Sequence, residues 1–251
     1  FPYTTLFRSQ EIDYLVENGI DMSWEKAQYS INKGLWGTSV GGSETLTSDK
    51  PLPSEAYPSQ LKHSDPEKVS LTFLKGEFVA VNGIENSPEV NIEVLNTLAS
   101  AYAIGRDIHV GDTIVGIKGR VGFEAAAALI IIKAHHLLEK HVLTKWQLQH
   151  KDYLSNFYGM HLHEGQYLDP VMRNMEAFLE SSQDKVSGDV VVTLKPYHFT
   201  LDGISSKHDL MSAKFGSYGE ENKGWTAEEA KGFIKIFGNQ NKIYQQVNQE
   251  L

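Results

Sequence analysis

Three features of the sequence predict an α+β fold in which β-hairpins pack against helices and a last helix closes the chain. Two stretches of alternating apolar residues, 68–81 and 186–201, each double back at a polar turn. The stretch from Ala125 to Leu143 is apolar nearly all round in its first half and reads as a buried helix. Strand pairs alternate with pairs of helices rather than with single ones, which argues against a doubly wound parallel sheet.

Taken in order, Glu11 to Asn18 reads as the tail of a helix stopped by Gly19. Residues 29–66 are rich in Gly, Ser, Thr and Pro; a structureless stretch of that length is usually functional. Val69, Leu71 and Phe73 alternate before the turn Lys75-Gly76-Glu77, and Phe78 to Val81 returns. Ser87-Pro88-Glu89 opens a helix whose apolar face carries Val90, Ile92, Val94, Leu95 and Leu98. Asp112 to Ile117 is a strand candidate between Gly111 and Gly119. After the buried helix, two amphipathic helices are expected at about 144–162 and 169–182. A hairpin from Val186 to Leu201 follows, then a cap at Thr226-Ala227-Glu228-Glu229 and a polar helix from Asn239 to Glu250.

Composition narrows the function. The chain has 251 residues, 41% of them hydrophobic, and a formal charge of −9. Lys and Arg are not clustered, so a nucleic-acid backbone is not an expected partner. With no cysteine, disulfides, thiol nucleophiles and thiolate metal sites are excluded. The longest apolar run, Ala125 to Ile132, is too short to span a bilayer, and the reading is of a soluble, cytoplasmic protein without a membrane partner. Phe1 to Ser9 reads as the in-frame translation of a sequencing-adapter oligonucleotide. Residues 1–9 are therefore expected to be an artefactual tail, with the natural sequence starting at about Gln10.

Few segments carry chemistry. His135, His136, His141, His161 and His163 lack the i, i+4 spacing of a zinc helix, so no metal site is expected. A metal-dependent hydrolase would have to show stoichiometric metal. No Gly-x-Ser-x-Gly elbow and no P-loop occurs; Gly41-Gly42 lacks the Lys-Ser/Thr ending. Tyr29 to Ser39 sets hydroxyls around glycines, suited either to gripping a small zwitterion or merely to a turn with local Ser–backbone bonds. Gly105-Arg106-Asp107, Gly111 and the run 115–125 place two cations, Lys118 and Arg120, among glycines before a helix N-terminus. That arrangement suits an anion, or else the glycines serve close packing and the cations are solvated.

At these two segments the chain resembles the C-terminal larger part of the argininosuccinate synthase family. The likeness runs from Gln10 to about Asn248 through Tyr29-Ser30, Ser39, Gly105-Arg106, Gly116-Ile117-Lys118-Gly119-Arg120, Phe123-Glu124-Ala125, Lys133-Ala134-His135, Leu138-Glu139, Tyr158-Gly159 and Ala230-Lys231-Gly232-Phe233-Ile234. The resemblance implies an ATP-dependent carbon–nitrogen ligase of arginine biosynthesis. Citrulline, aspartate and ATP are its substrates, and ATP and magnesium are held mainly by an N-terminal nucleotide-binding domain that this sequence lacks. It implies a remnant of that domain at 10–28, a synthetase domain at 29–225 and a C-terminal oligomerisation segment at 226–251, used in a homotetramer. By itself such a piece is expected to be inactive; the competing reading is a catalytically inert oligomerisation or ligand-binding module.

Carried over by position, Ser30 and Ser39 match two citrulline-contacting hydroxyls, and Gly111 and Phe123 fall on two further citrulline positions. There the chain departs from the family: Gly111 stands where the family has Glu, and Phe123 where it has Tyr. Either Asp112 replaces the lost carboxylate, or the substrate lacks a free α-ammonium, as an N-acylated citrulline does. Lys118 and Arg120 are expected to steer anionic substrate or phosphate groups. No catalytic residue is assigned.

Overall fold

The computed structural model describes residues 8–20, 29–113, 115–212 and 224–248; the expected tail therefore lies outside the described residues up to residue 7. Two compact units are present, the first ending at His208 and the second starting at Asp209.

In the first unit, helix α1 (Arg8–Glu17) stops where Gly19 takes a left-handed conformation, φ 78°. One four-stranded antiparallel sheet has the order β1 (Ser30–Gly34), β2 (Gly37–Gly41), β7 (Lys118–Glu124), β6 (Arg106–Asp112). A five-stranded sheet has the order β5 (Ile84–Glu85), β4 (Glu77–Val81), β3 (Glu67–Leu74), β8 (Gly188–Lys195), β9 (His198–Ser205), also antiparallel. Lys75 (φ 51°) and Gly76 (φ 84°) form a tight primed turn between β3 and β4, where the sequence predicts a turn at Lys75-Gly76-Glu77.

Helices α2 (Pro88–Ser100) and α3 (Ala126–Val142) cover the larger sheet. Its inward residues Val69, Leu71, Phe73, Val190, Val192 and Leu194 meet Ile92 and Leu95 of α2 and Ile130, Ala134 and Leu138 of α3 in one buried cluster. Burial of these side chains, at about 1.5–3 kcal/mol each, drives the packing. Helices α4 (Lys145–His163) and α5 (Pro170–Gln183) follow. Thr144 caps α4 in a reciprocal box with Gln147, and Asp169 caps α5 by accepting from the Val171 amide. The second unit holds α6 (Ala227–Phe237), capped by a Thr226–Glu229 box, and α7 (Asn239–Asn248). No helix among the described residues is long and apolar enough to cross a membrane.

Two expectations are corrected. The strand candidate 112–117 is not a strand beyond Asp112, the last residue of β6: Thr113 donates its amide to the Ile117 carbonyl at 3.0 Å, Gly116 donates to the Thr113 carbonyl, and Val115 and Ile117 are exposed. The strands of that hairpin lie on either side of it, in segments without regular apolar alternation. Nor is 29–66 structureless, since it opens with the β1–β2 hairpin, closed by the two residues Leu35 and Trp36 between Gly34 and Gly37.

Candidate functional site

Register decides which side chains of the smaller sheet share a face, because alternate residues point to opposite sides. Ser39 lies opposite Asn32 on β1 and opposite Phe123 on β7, and Phe123 lies opposite Asp107 on β6. Ser30 pairs with Gly41, His109 with Val121, and Gly111 with Gly119. Ser30, Ser39, Gly111 and Phe123 therefore sit on one face, with Asn32, Asp107 and His109 beside them. Direct cross-strand neighbours such as Ser39 and Phe123 have Cβ atoms about 5 Å apart, and diagonal ones such as Ser30 and Ser39 about 7–8 Å. The His109 imidazole meets the Phe123 ring edge-on, centroids 6.1 Å apart at 86°. Asp107, His109 and Phe123 line a cleft of about 300 Å³ with Gly105, Ala125 and Leu129.

The opposite face is packed. Val40 joins Leu52 and Ala56 in a small core, with Tyr29, Tyr57 and Ile108 against it. Gly122 is required there, because a Cβ would overlap the Leu52 side chain. The Arg106–Glu124 ion pair, 3.5 Å between Nε and Oε2, is buried on this side, and the guanidinium also donates to the Ser59 carbonyl and lies 4.8 Å over the Tyr57 ring. Burial pushes the Tyr57 phenol above its ordinary value, ahead of the opposing effect of Arg106.

Lys118 and Arg120 are on this packed side, away from Ser39 and Phe123. Arg120 donates to the carbonyls of Glu44 (2.8 Å), Thr47 (2.6 Å) and Lys50 (2.8 Å), pinning the segment that covers the sheet. Lys118 pairs with Asp112 at 2.6 Å. Asp112 thus faces away from Gly111's side, so a substitute carboxylate at that place would need the strand to turn over. Asp107 and His109 are the site residues that sequence reasoning missed. Asp107, His109 and Gly111 follow one another at intervals of two, the strand signal that reveals them once β6 is placed correctly.

A second polar cluster lies between α3 and α4. Glu139 is fully buried and accepts from Lys151 Nζ at 2.8 Å and Gln183 Nε2 at 2.8 Å. His135 stands 3.7 Å away and His136 3.4 Å. Burial alone would raise the Glu139 carboxyl, but His135, Lys151 and Gln183 together hold it below the usual range. The His135 imidazole is pushed down, chiefly by burial. His136, Glu139 and Asp152 have ligand atoms within 4.8 Å of one another, a spacing not foreseen from the sequence. Lys151 Nζ already lies between the two carboxylates, 2.8 Å from Glu139 and 3.8 Å from Asp152, so an ammonium holds the place a divalent ion would need.

Residues 29–244 match a family model described as the arginosuccinate synthase C-terminal domain. The chain is 36% identical over 239 residues to an argininosuccinate synthase of Dictyoglomus turgidum, covering 94% of this chain and 60% of that protein. It is 35% identical over 252 residues to one of Xanthomonas campestris (97% and 62% covered), and 32% over 243 residues to one of Methanocaldococcus jannaschii (96% and 61%). The chain thus spans about 60% of the length of the curated relatives it matches.

Proposed function

The chain belongs to the argininosuccinate synthase family, by its C-terminal domain, and on that premise we propose that the protein carrying it joins citrulline to aspartate with ATP. Citrulline's ureido oxygen attacks the α-phosphorus and releases pyrophosphate; aspartate's amine then displaces AMP from the activated carbon to give argininosuccinate. The observation that supports this reading is the register that places Ser30, Ser39 and Phe123 on one open face of the smaller sheet. The hydroxyls take the polar head of citrulline, Phe123 forms an apolar wall, and the His109 imidazole fills the space beside Gly111. Positioning of this kind is what such a reaction asks of the domain.

ATP is consumed as a substrate, and it and magnesium belong in this reading to a nucleotide-binding domain outside this chain. No residue cluster described above suits either, since the one group with metal-ligand spacing already holds Lys151. Arg120 acts by holding the 44–50 segment against the sheet rather than by meeting an anion directly. Assembly into a cytoplasmic homotetramer uses α6 and α7, whose Phe233, Ile234, Phe237, Ile243, Tyr244 and Val247 are exposed.

The test is pyrophosphate release by the full-length protein from ATP and aspartate, with and without citrulline. Citrulline-dependent release is expected from the full-length protein and none from residues 10–251 alone. Absence of citrulline dependence in the full-length protein would refute the assignment.

A further inference from the structure

Resting on that reading, we infer that Asp107 is the carboxylate that receives the α-ammonium of the amino-acid substrate. The four strands of the smaller sheet place Ser30, Asn32, Ser39, Val121, Phe123, Asp107 and His109 on the open face, together with glycines. Asp107 is the only acid among these described strand residues. Its Oδ1 accepts from the Ile108 amide at 2.7 Å, which fixes the side chain. No ion pair to Asp107 occurs among the described residues, in contrast to Asp112, whose charge is matched by Lys118 on the other face.

The geometry suits a zwitterion. Ser39 and Asp107 are two strands apart, roughly 10 Å between backbones at the usual spacing, with the Phe123 ring between them. A substrate head lying over that ring meets hydroxyl donors for its carboxylate on the β1–β2 side and an acceptor for its ammonium on the β6 side. Gly111 supplies no acceptor, and a carboxylate side chain at that position would have to displace the His109 imidazole. A Cβ there would lie 2.8 Å from His109 Nε2, because the imidazole, propped on Phe123, has taken the space above the glycine. The substrate class that follows is a free α-amino acid, not its N-acyl derivative, since an amide nitrogen brings no charge for Asp107 to match.

The test uses the full-length protein and two substrates, L-citrulline and 5-ureidopentanoate, which is citrulline without its amino group. The kcat/KM for pyrophosphate release is compared for wild type, Asp107→Asn and Asp107→Glu; the Asn variant keeps the acceptor for the Ile108 amide. Wild type should favour citrulline by about 10- to 100-fold, the range for one charged hydrogen-bonded contact. Asp107→Asn should lose that preference with its rate on 5-ureidopentanoate unchanged, and Asp107→Glu should restore part of it. A preference that survives in Asp107→Asn overturns the inference, as does equal loss on both substrates, which marks a structural role. Faster turnover of N-acetyl-L-citrulline than of citrulline by wild type overturns it too. These results leave the ligase reading standing; a wild type that shows no citrulline-dependent release removes both.

Discussion

Replacing Lys151 by Met leaves the Glu139 carboxylate buried without its cation while keeping most of the aliphatic stem. At 2.8 Å and an effective dielectric constant near 20, the lost attraction is about 6 kcal/mol before desolvation is deducted. Removing one partner of a buried pair costs about 3–5 kcal/mol in general. Here Gln183 at 2.8 Å and His136 at 3.4 Å still face the carboxylate, so the low end, about 3 kcal/mol, is expected. For a chain of this size that is a drop in Tm of roughly 6–12 °C. The pH dependence identifies the cause. Because the folded Glu139 carboxyl lies below its unfolded value, its contribution is complete above about pH 4.5 and is lost as pH falls through the folded value. Without Lys151 the carboxyl titrates higher. His135, held neutral mainly by burial and also by Lys151, becomes easier to protonate and can replace the missing cation. Both effects shrink the gap between variant and wild type as pH is lowered from 7 towards 4. Denaturant midpoints measured across that range decide the matter. A gap below 1 kcal/mol at pH 7, or one that does not change with pH, would refute the role given to this pair.

Thr144→Ala removes the acceptor for the Gln147 amide at the start of α4 and should cost about 1 kcal/mol in a denaturation curve. Arg120→Ala should loosen segment 44–50, seen as faster amide exchange there with a stability loss of about 1–3 kcal/mol; a change in substrate KM with exchange unaltered would instead favour the anion-steering role. Ser39→Ala in the full-length protein should lower kcat/KM for citrulline by about 10- to 100-fold and leave Tm nearly unchanged, whereas unchanged kinetics would remove the hydroxyl from the site. Phe233→Asp on α6 should shift the protein to smaller species in light scattering; an unaltered mass would show that this face is not the one used in assembly.

What the sequence alone makes legible depends on how far along the chain each signal reaches. Caps and periodicities act over three or four residues, so Thr144 with Gln147 and Thr226 with Glu229 announce their helices directly. The β3–β4 and β8–β9 hairpins are also plain, because one buried face writes alternation into β3 and, less strictly, into β8. The β6–β7 hairpin shows the opposite case. β7 reads Lys-Gly-Arg-Val-Gly-Phe-Glu, with a glycine where Leu52 presses on the sheet, and its apolar β-formers Val115 and Ile117 fall in the exposed turn. Propensity therefore points at the turn, and tertiary packing overrides it. The cost of that displacement is not a shifted boundary but a lost parity. With the turn mistaken for a strand, Gly111 and Asp112 look like interchangeable neighbours, although they face opposite sides, and Asp107 and His109 go unread as companions of Phe123. Ser30 and Ser39 carry the same lesson in reverse. An odd separation within one strand would put them on opposite faces, yet the two-residue turn at Leu35-Trp36 pairs Ser30 with Gly41, which shares its face with Ser39. The face shared by Ser30, Ser39 and Phe123, on which the proposed substrate site rests, is thus set by two turns, and a one-residue change in the length of either should disperse it while leaving every residue named for it in place.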